Sequence, residues 1–174
     1  AQIISYEIPI GLTLLLVVIV CGSLQVSDIV AWQSDHRWFI FHSPFAFIAF
    51  FIYFISALAE TNRTPFDIPE AESELVAGAF TEYSGMRYAF FFLSEYANMF
   101  VISGIATAAY LGGWQSRNHG LMDSPGWGLF CFMSKSLFLI FLMIWFRWSW
   151  PRLRVDQLMS VCWKGFIPIA FMNI

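Results

Sequence analysis

The chain has 174 residues, 59% of them hydrophobic and 20% aromatic, with twelve acidic against nine basic side chains, and its mean hydropathy is +0.66. That composition lies outside the range of soluble globular domains, and a net charge of −3 offers nucleic acid no basic surface. A large soluble helical core is the alternative, and the length of the apolar runs argues against it.

A bilayer core about 30 Å thick needs about 20 apolar residues in a helix. Four runs meet that length. The first extends from about Ile8 to Leu24, and the second from about Trp38 to Ala59, entered through His42, Ser43 and Pro44. The third extends from about Tyr88 to Leu111 and the fourth from about Trp127 to Trp148. An apolar tail, Gly165 to Ile174, follows Lys164 and is too short to cross as a helix of its own. The runs are continuous rather than alternating, and lipid-facing segments of this length satisfy their backbone as helices. The expected fold is an all-α polytopic membrane protein, a single membrane domain over residues 1–174 with four transmembrane helices and a short C-terminal apolar segment. The opening AQIISYEIP lacks an initiator Met and the layout of a secretory signal, which suggests part of a longer protein.

Lys and Arg concentrate on the cytoplasmic or matrix side of membrane proteins. With four spans, the segments after the second and fourth share a side and carry Arg63, Arg87, Arg147, Arg152, Arg154 and Lys164, six of the nine basic residues. The other side holds Arg37 and Arg117, and Lys135 lies inside the fourth run. The loop between the second and third runs is therefore expected to face the cytoplasm or matrix.

That loop, residues 60–87, holds Glu60, Asp67, Glu70, Glu72, Glu74 and Glu82, half of the acidic residues of the chain. Thr64-Pro65 marks a break, because the residue before proline is pushed out of helical geometry. Asp67-Ile-Pro-Glu70 then reads as a helix start, with Asp67 as cap, Pro69 in the first turn and Glu70 at the capping-box position. The short helix expected from Pro69 to about Ala79 would put Glu70 and Glu74 on one face, with Glu72 about 200° around from Glu70. Like charges at that spacing destabilise a helix slightly, and only Arg63 and Arg87 stand nearby in sequence. A solvated surface helix with acids at its positive N-terminus accounts for Glu70 and at most Glu72.

The third run extends the acidic pattern into the membrane. Glu95 lies about two turns inside it, with Asn98 and Ser103 along the same stripe. An ionised carboxylate at the centre of a lipid-exposed helix costs about 2.5 to 3.5 kcal/mol, so Glu95 is expected to face protein or a hydrated cavity. Lys135 invites the same argument, and Glu7 stands at the mouth of the first run. Crowded carboxylates titrate as a unit, and a chain of them can take up protons and pass them on. The plainer reading for Glu95 or Lys135 singly is a packing role with one hydrogen-bond partner.

No other chemistry is legible. Cys21, Cys131 and Cys162 stand singly, without the paired spacing of a zinc or iron-sulfur site, and His36, His42 and His119 are scattered, so no metal-ligating pair is expected. No glycine-rich phosphate loop or dinucleotide fingerprint is present, so any nucleotide chemistry belongs to another polypeptide.

The stretch AETNRTPFDIPEAESELVAGAFTEYSGMRYAFFFLSEYANM, together with AQIISYE, YLGGW, PRLRVDQLM and WKGFIP, resembles the subunit 1 (H-type) family of respiratory complex I, the proton-pumping NADH:quinone oxidoreductase. The resemblance covers essentially the whole chain, although members of that family are roughly twice as long. It implies a C-terminal half, with the N-terminal half on another chain or absent because this is a fragment. It further implies that Glu7, Glu60, Glu70, Glu72, Glu74, Glu82 and Glu95 belong to an acidic proton path. Arg63, Phe66 and Asp67 would belong to the quinone chamber and its entry. Lys135, Arg152, Arg154 and Asp156 would be structural or neighbour-contacting residues.

By the same resemblance the chain binds no cofactor alone and carries no redox centre. Ubiquinone or another quinone is shared with neighbouring subunits, and FMN, NADH and iron-sulfur clusters reside elsewhere in the complex. The implied partners are peripheral-arm and small membrane-arm subunits. The implied location is the mitochondrial inner membrane, with the bacterial plasma membrane as alternative. Two rivals stand beside this reading: a homologous subunit of an energy-converting hydrogenase or ferredoxin-linked complex, and an independent ion carrier gated by Glu95 and Lys135.

Overall fold

A computed structural model of the chain describes residues 2–61, 85–115, 125–151 and 155–174. Every regular element among them is helical: α1 Gln2–Cys21, α2 Val26–Asp35, α3 Pro44–Glu60, α4 Met86–Tyr110, α5 Pro125–Ser149, α6 Val155–Val161 and α7 Ile167–Asn173. A short 3-10 turn, Phe39–Phe41, precedes α3, and a π-helical turn, Cys162–Phe166, joins α6 to α7. Three stretches are long and apolar enough to cross a membrane, Ile4–Cys21, Met86–Tyr110 and Gly126–Ser149, while α3 is a shorter apolar helix.

The third and fourth apolar runs emerge as α4 and α5, close to their expected ends. The first differs. Helix α1 opens on Gln2, well before Ile8, and takes Pro9 inside it; it stops at Cys21, where the Gly22 amide bonds back to Val18 O at 2.8 Å. The second run is split, because Pro44 suits the first turn of a helix and the Ser43 hydroxyl accepts the Ala46 amide at 3.1 Å. Residues 38–43 consequently lie outside α3. Helix α2 was not expected from an apolar run. It buries Ile29, Val30 and Gln33 on one face. The apolar tail is no separate segment: α6, the π turn and α7 follow one another without interruption from residue 155 to 173.

The most extensive packing joins α1 to α3, followed by α4 to α5. Ala46, Ala49 and Ala57 are buried on α3, and such small side chains let helices approach closely where lipid supplies no hydrophobic drive. A cluster of rings, Phe39, Phe50, Tyr53 and Tyr110, fills the centre, with centroid separations to Tyr110 of 5.8, 5.5 and 5.7 Å. Outside, the surface remains apolar. On α5, Leu137 is 55% and Phe138 58% exposed, as suits a helix whose solvent is lipid.

The end of α4 is held from two directions. Buried Gln33 uses its whole amide: Nε2 donates to Ala108 O and Ala109 O at 3.0 and 3.1 Å, and Oε1 accepts from Phe39 N and Gly112 N at 3.2 and 2.8 Å. Lys135, reaching from α5, donates to Leu111 O, Gly113 O and Gln115 O at 2.8, 3.1 and 3.0 Å, with its ammonium 4.9 Å from the Trp38 ring centroid. Three protons meet three carbonyls at the negative end of a helix. Glycine is required here, since Gly112 and Gly113 have φ of 74° and 53°, and a Cβ on Gly113 would stand 2.7 Å from Val30 Cγ2.

Candidate functional site at the acidic end of the bundle

Of the expected site residues, Glu7, Glu60 and Glu95 lie among the described residues, whereas Arg63, Phe66, Asp67, Glu70, Glu72, Glu74 and Glu82 lie outside them, as does the expected helix from Pro69 to Ala79. The described three come from different helices. Glu7 sits in the second turn of α1, Glu60 is the last residue of α3, and Glu95 is in the third turn of α4.

Their depth in the bundle follows from how the helices run. Tyr53 of α3 donates to Ile102 O of α4 at 3.1 Å, and the end of α4 lies beside the first half of α3 through Phe50 and Tyr110, so α3 and α4 are antiparallel. Counting equal rises away from the Tyr53 and Ile102 pair brings Glu60 and Glu95 to the same depth, to within about a turn. Glu60 is also within electrostatic range of Glu7, and Tyr6 within range of both. Among the described residues, the charge acting on Glu60 is the carboxylate of Glu7.

Burial distinguishes the three. Glu7 is exposed on this chain, and Glu60 is half-buried beside buried Thr61. From Met86 to Ala97 every side chain of α4 is exposed except Glu95, which is half-buried. Glu95 therefore lies on the stripe of α4 that leads toward Asn98, Met99 and the buried Ser103, as expected for a carboxylate avoiding hydrocarbon. Beyond Ser103 the polar stripe turns inward on itself. Ser103 Oγ donates to Phe100 O at 3.0 Å and Thr107 Oγ1 to Ser103 O at 2.8 Å, while Ser136 Oγ of α5 reaches Thr107 Oγ1 at 3.3 Å.

The structure separates Lys135 from this group: its ammonium is occupied by the carbonyls of Leu111, Gly113 and Gln115 just past the end of α4. Tyr6 joins the acidic end and was not singled out from sequence. Its signal was adjacency to Glu7, in a segment that hydropathy alone places ahead of the first span. The histidines are less scattered than their spacing implies. His36 stacks on Trp32 at 4.4 Å, and His42 lies 5.1 Å from Trp32 and 6.4 Å from His36. Among the described residues no three His, Cys, Asp or Glu side chains group as metal ligands.

The profile of the NADH dehydrogenase family matches residues 1–174. The H-type subunit of the NADH-quinone oxidoreductase of Chlorobaculum tepidum is 50% identical over 185 residues, covering 99% of this chain and 52% of that protein. Its counterpart in Bacteroides fragilis is 47% identical over 183 residues, covering 100% of this chain and 50% of its own length. An H-type subunit of Geobacter metallireducens is 49% identical over 174 residues, covering 100% of this chain and 48% of its own. The chain thus spans about half the length of the curated relatives it matches. With its whole length inside the family profile and about half of its residues identical to these relatives, the chain belongs to the NADH dehydrogenase family, the subunit 1 (H-type) family of complex I.

Proposed function

We propose that this chain forms half of a membrane subunit of a proton-translocating NADH:quinone oxidoreductase. In this reading Arg63, Phe66 and Asp67 contribute to the wall of the quinone chamber. Glu7, Glu60, Glu70, Glu72, Glu74, Glu82 and Glu95 then conduct protons away from it. The observation that carries the proposal is that Glu7 and Glu60, from two helices, lie within electrostatic range of each other, with the half-buried Glu95 of α4 at a similar depth. The acidic loop leaves α3 and enters α4 at that same end.

The chain's part is electrostatic. Quinone reduction beside the loop consumes protons and changes the local charge. Carboxylates that repel one another share that change, because their titrations are coupled. Glu60 and Glu95, at similar depth on adjacent helices, carry the response inward, and any resulting shift in hydration or helix position follows the differential stability of the two charge states. FMN, NADH and the iron-sulfur clusters belong to other subunits. The relatives described above are bacterial, which favours the bacterial plasma membrane over the mitochondrial inner membrane.

The proposal is tested by replacing Glu72 or Glu74 with Gln in the assembled complex. Quinone reduction and proton pumping are expected to fall together; wild-type values for both would remove the coupling role. The energy-converting hydrogenase alternative receives no support from these relatives, which are named as parts of NADH-quinone oxidoreductase, and co-purification of a nickel-iron protein would revive it. The independent carrier loses its gate, since Lys135 is engaged by three backbone carbonyls.

A further inference from the structure

The π-helical turn Cys162–Phe166 is an irregularity that neither the apolar runs nor the acidic path explains. Its closing bond is the Ile167 amide to Cys162 O, and the next residue is Pro168, in the first turn of α7. Proline cannot donate to the helical ladder, and a widened turn before it accommodates the change of register. The result is to aim Trp163 at α1. Its indole Nε1 donates to Ser5 Oγ at 2.9 Å, although the two residues are 158 apart in the chain. Trp163 is 51% exposed, so one edge of the ring faces outward while its N–H reaches inward, whereas Ser5 is fully buried.

Ser5 stands at a weak point of α1. Pro9 lies four residues on and lacks the N–H that would otherwise bond to Ser5 O. The first turns of α1 are therefore less firmly joined to the rest of the helix by its own ladder. Those turns carry Tyr6 and Glu7, the groups within electrostatic range of Glu60. α1 also packs against the π turn and against α7.

We infer that Trp163 is a positioning residue for Glu7: the hydrogen bond from its indole to Ser5 pins the turns of α1 ahead of Pro9 and so fixes the separation of Glu7 from Glu60. The inference rests on the proposal that Glu7 and Glu60 belong to the proton path. It adds the C-terminal helix, through its π turn, as the element that sets their spacing. Tryptophan has a single polar hydrogen, so Trp163→Phe keeps an aromatic ring and removes the pin.

The experiment measures protons translocated per quinone reduced, and the pH profile of quinone reduction, in sealed membrane vesicles holding the complete complex. Ser5→Ala and Trp163→Phe are each expected to lower the proton yield about twofold and to displace the pH profile, with the double variant no worse than either single one. Ser5→Thr keeps the acceptor and is expected to retain the wild-type yield and profile. The content of assembled complex is measured alongside. Should Trp163→Phe fail to assemble, Ser5→Ala against Ser5→Thr decides the matter. If Ser5→Ala and Trp163→Phe are silent while Glu7→Gln lowers the yield, the positioning role is overturned and the proton path stands. Effects that multiply in the double variant overturn it as well. A silent Glu7→Gln removes the path reading for Glu7, and the inference with it.

Discussion

At its C-terminal end, helix α4 is closed by groups whose hydrogen bonds are all accounted for: Gln33 makes four, Lys135 makes three, and the Tyr110 hydroxyl donates to Thr13 O at 2.9 Å. Toward its N-terminal end the same helix is exposed through Ala97 apart from Glu95, and on the described helices beside it Glu7 acts on Glu60. Both ends contain charge within an apolar chain. At one end the charge faces fixed backbone dipoles and has a single best arrangement. At the other, Glu60 faces like charge from Glu7, and in the proposed reading its arrangement depends on where the protons are. The contrast separates a polar group that holds a fold from one that can respond to chemistry.

Three substitutions sharpen or break that contrast. The largest effect is expected for Lys135→Met, which strips three carbonyls of a charged donor at a helix C-terminus and should cost about 3 kcal/mol of stability. The measurement is the thermal inactivation midpoint of the complex in native membranes, together with the amount of chain assembled. A variant as stable as wild type, with proton pumping lost, would move Lys135 to the functional side of the comparison.

Gln33→Ala comes next, at about 2 kcal/mol, because it leaves buried backbone groups of Phe39, Ala108, Ala109 and Gly112 without their side-chain partner. The surviving complex should reduce quinone at the wild-type rate, and the same thermal assay reads the loss. A fall in turnover per assembled complex would show that this end also communicates with the chemistry.

The smallest effect on stability is expected for Glu60→Gln. It removes a charge whose electrostatic neighbour is Glu7 and should shift stability by less than about 0.5 kcal/mol, while proton yield per quinone falls. Substantial loss of assembled complex, in place of loss of pumping, would make Glu60 a structural residue and erase the difference between the two ends.

Much of the helical framework was legible, for a physical reason. Long continuous apolar runs have few options in lipid, so α4 and α5 could be drawn from hydropathy alone. Errors collected where local chemistry competes with hydropathy. Ser43 and Pro44 start α3 inside an apolar run, and Pro9 sits within α1, close to where hydropathy places the start of the first run. Helix α2 was missed because VSDIVAWQSD is short and mixed, and its Ile29 and Gln33 spacing reads as a buried face only once a partner is known. Of the acidic site, Glu95 could be assigned to a protein-facing stripe from the cost of placing it in lipid. Lys135 satisfied the same argument and proved to be a helix cap, since desolvation cost requires a partner without specifying which one.

Sequence by itself determined that the chain is helical, apolar enough for a bilayer, crowded with carboxylates between its second and third runs, and a member of one family. Hydropathy, charge and motif are properties of short stretches. Tertiary structure alone decided that Glu7 comes within electrostatic range of Glu60, that Lys135 meets the end of α4, and that Trp163 reaches Ser5 across 158 residues. Periodicity tells which side chains share a face of one helix, but which faces meet depends on packing among all of them at once.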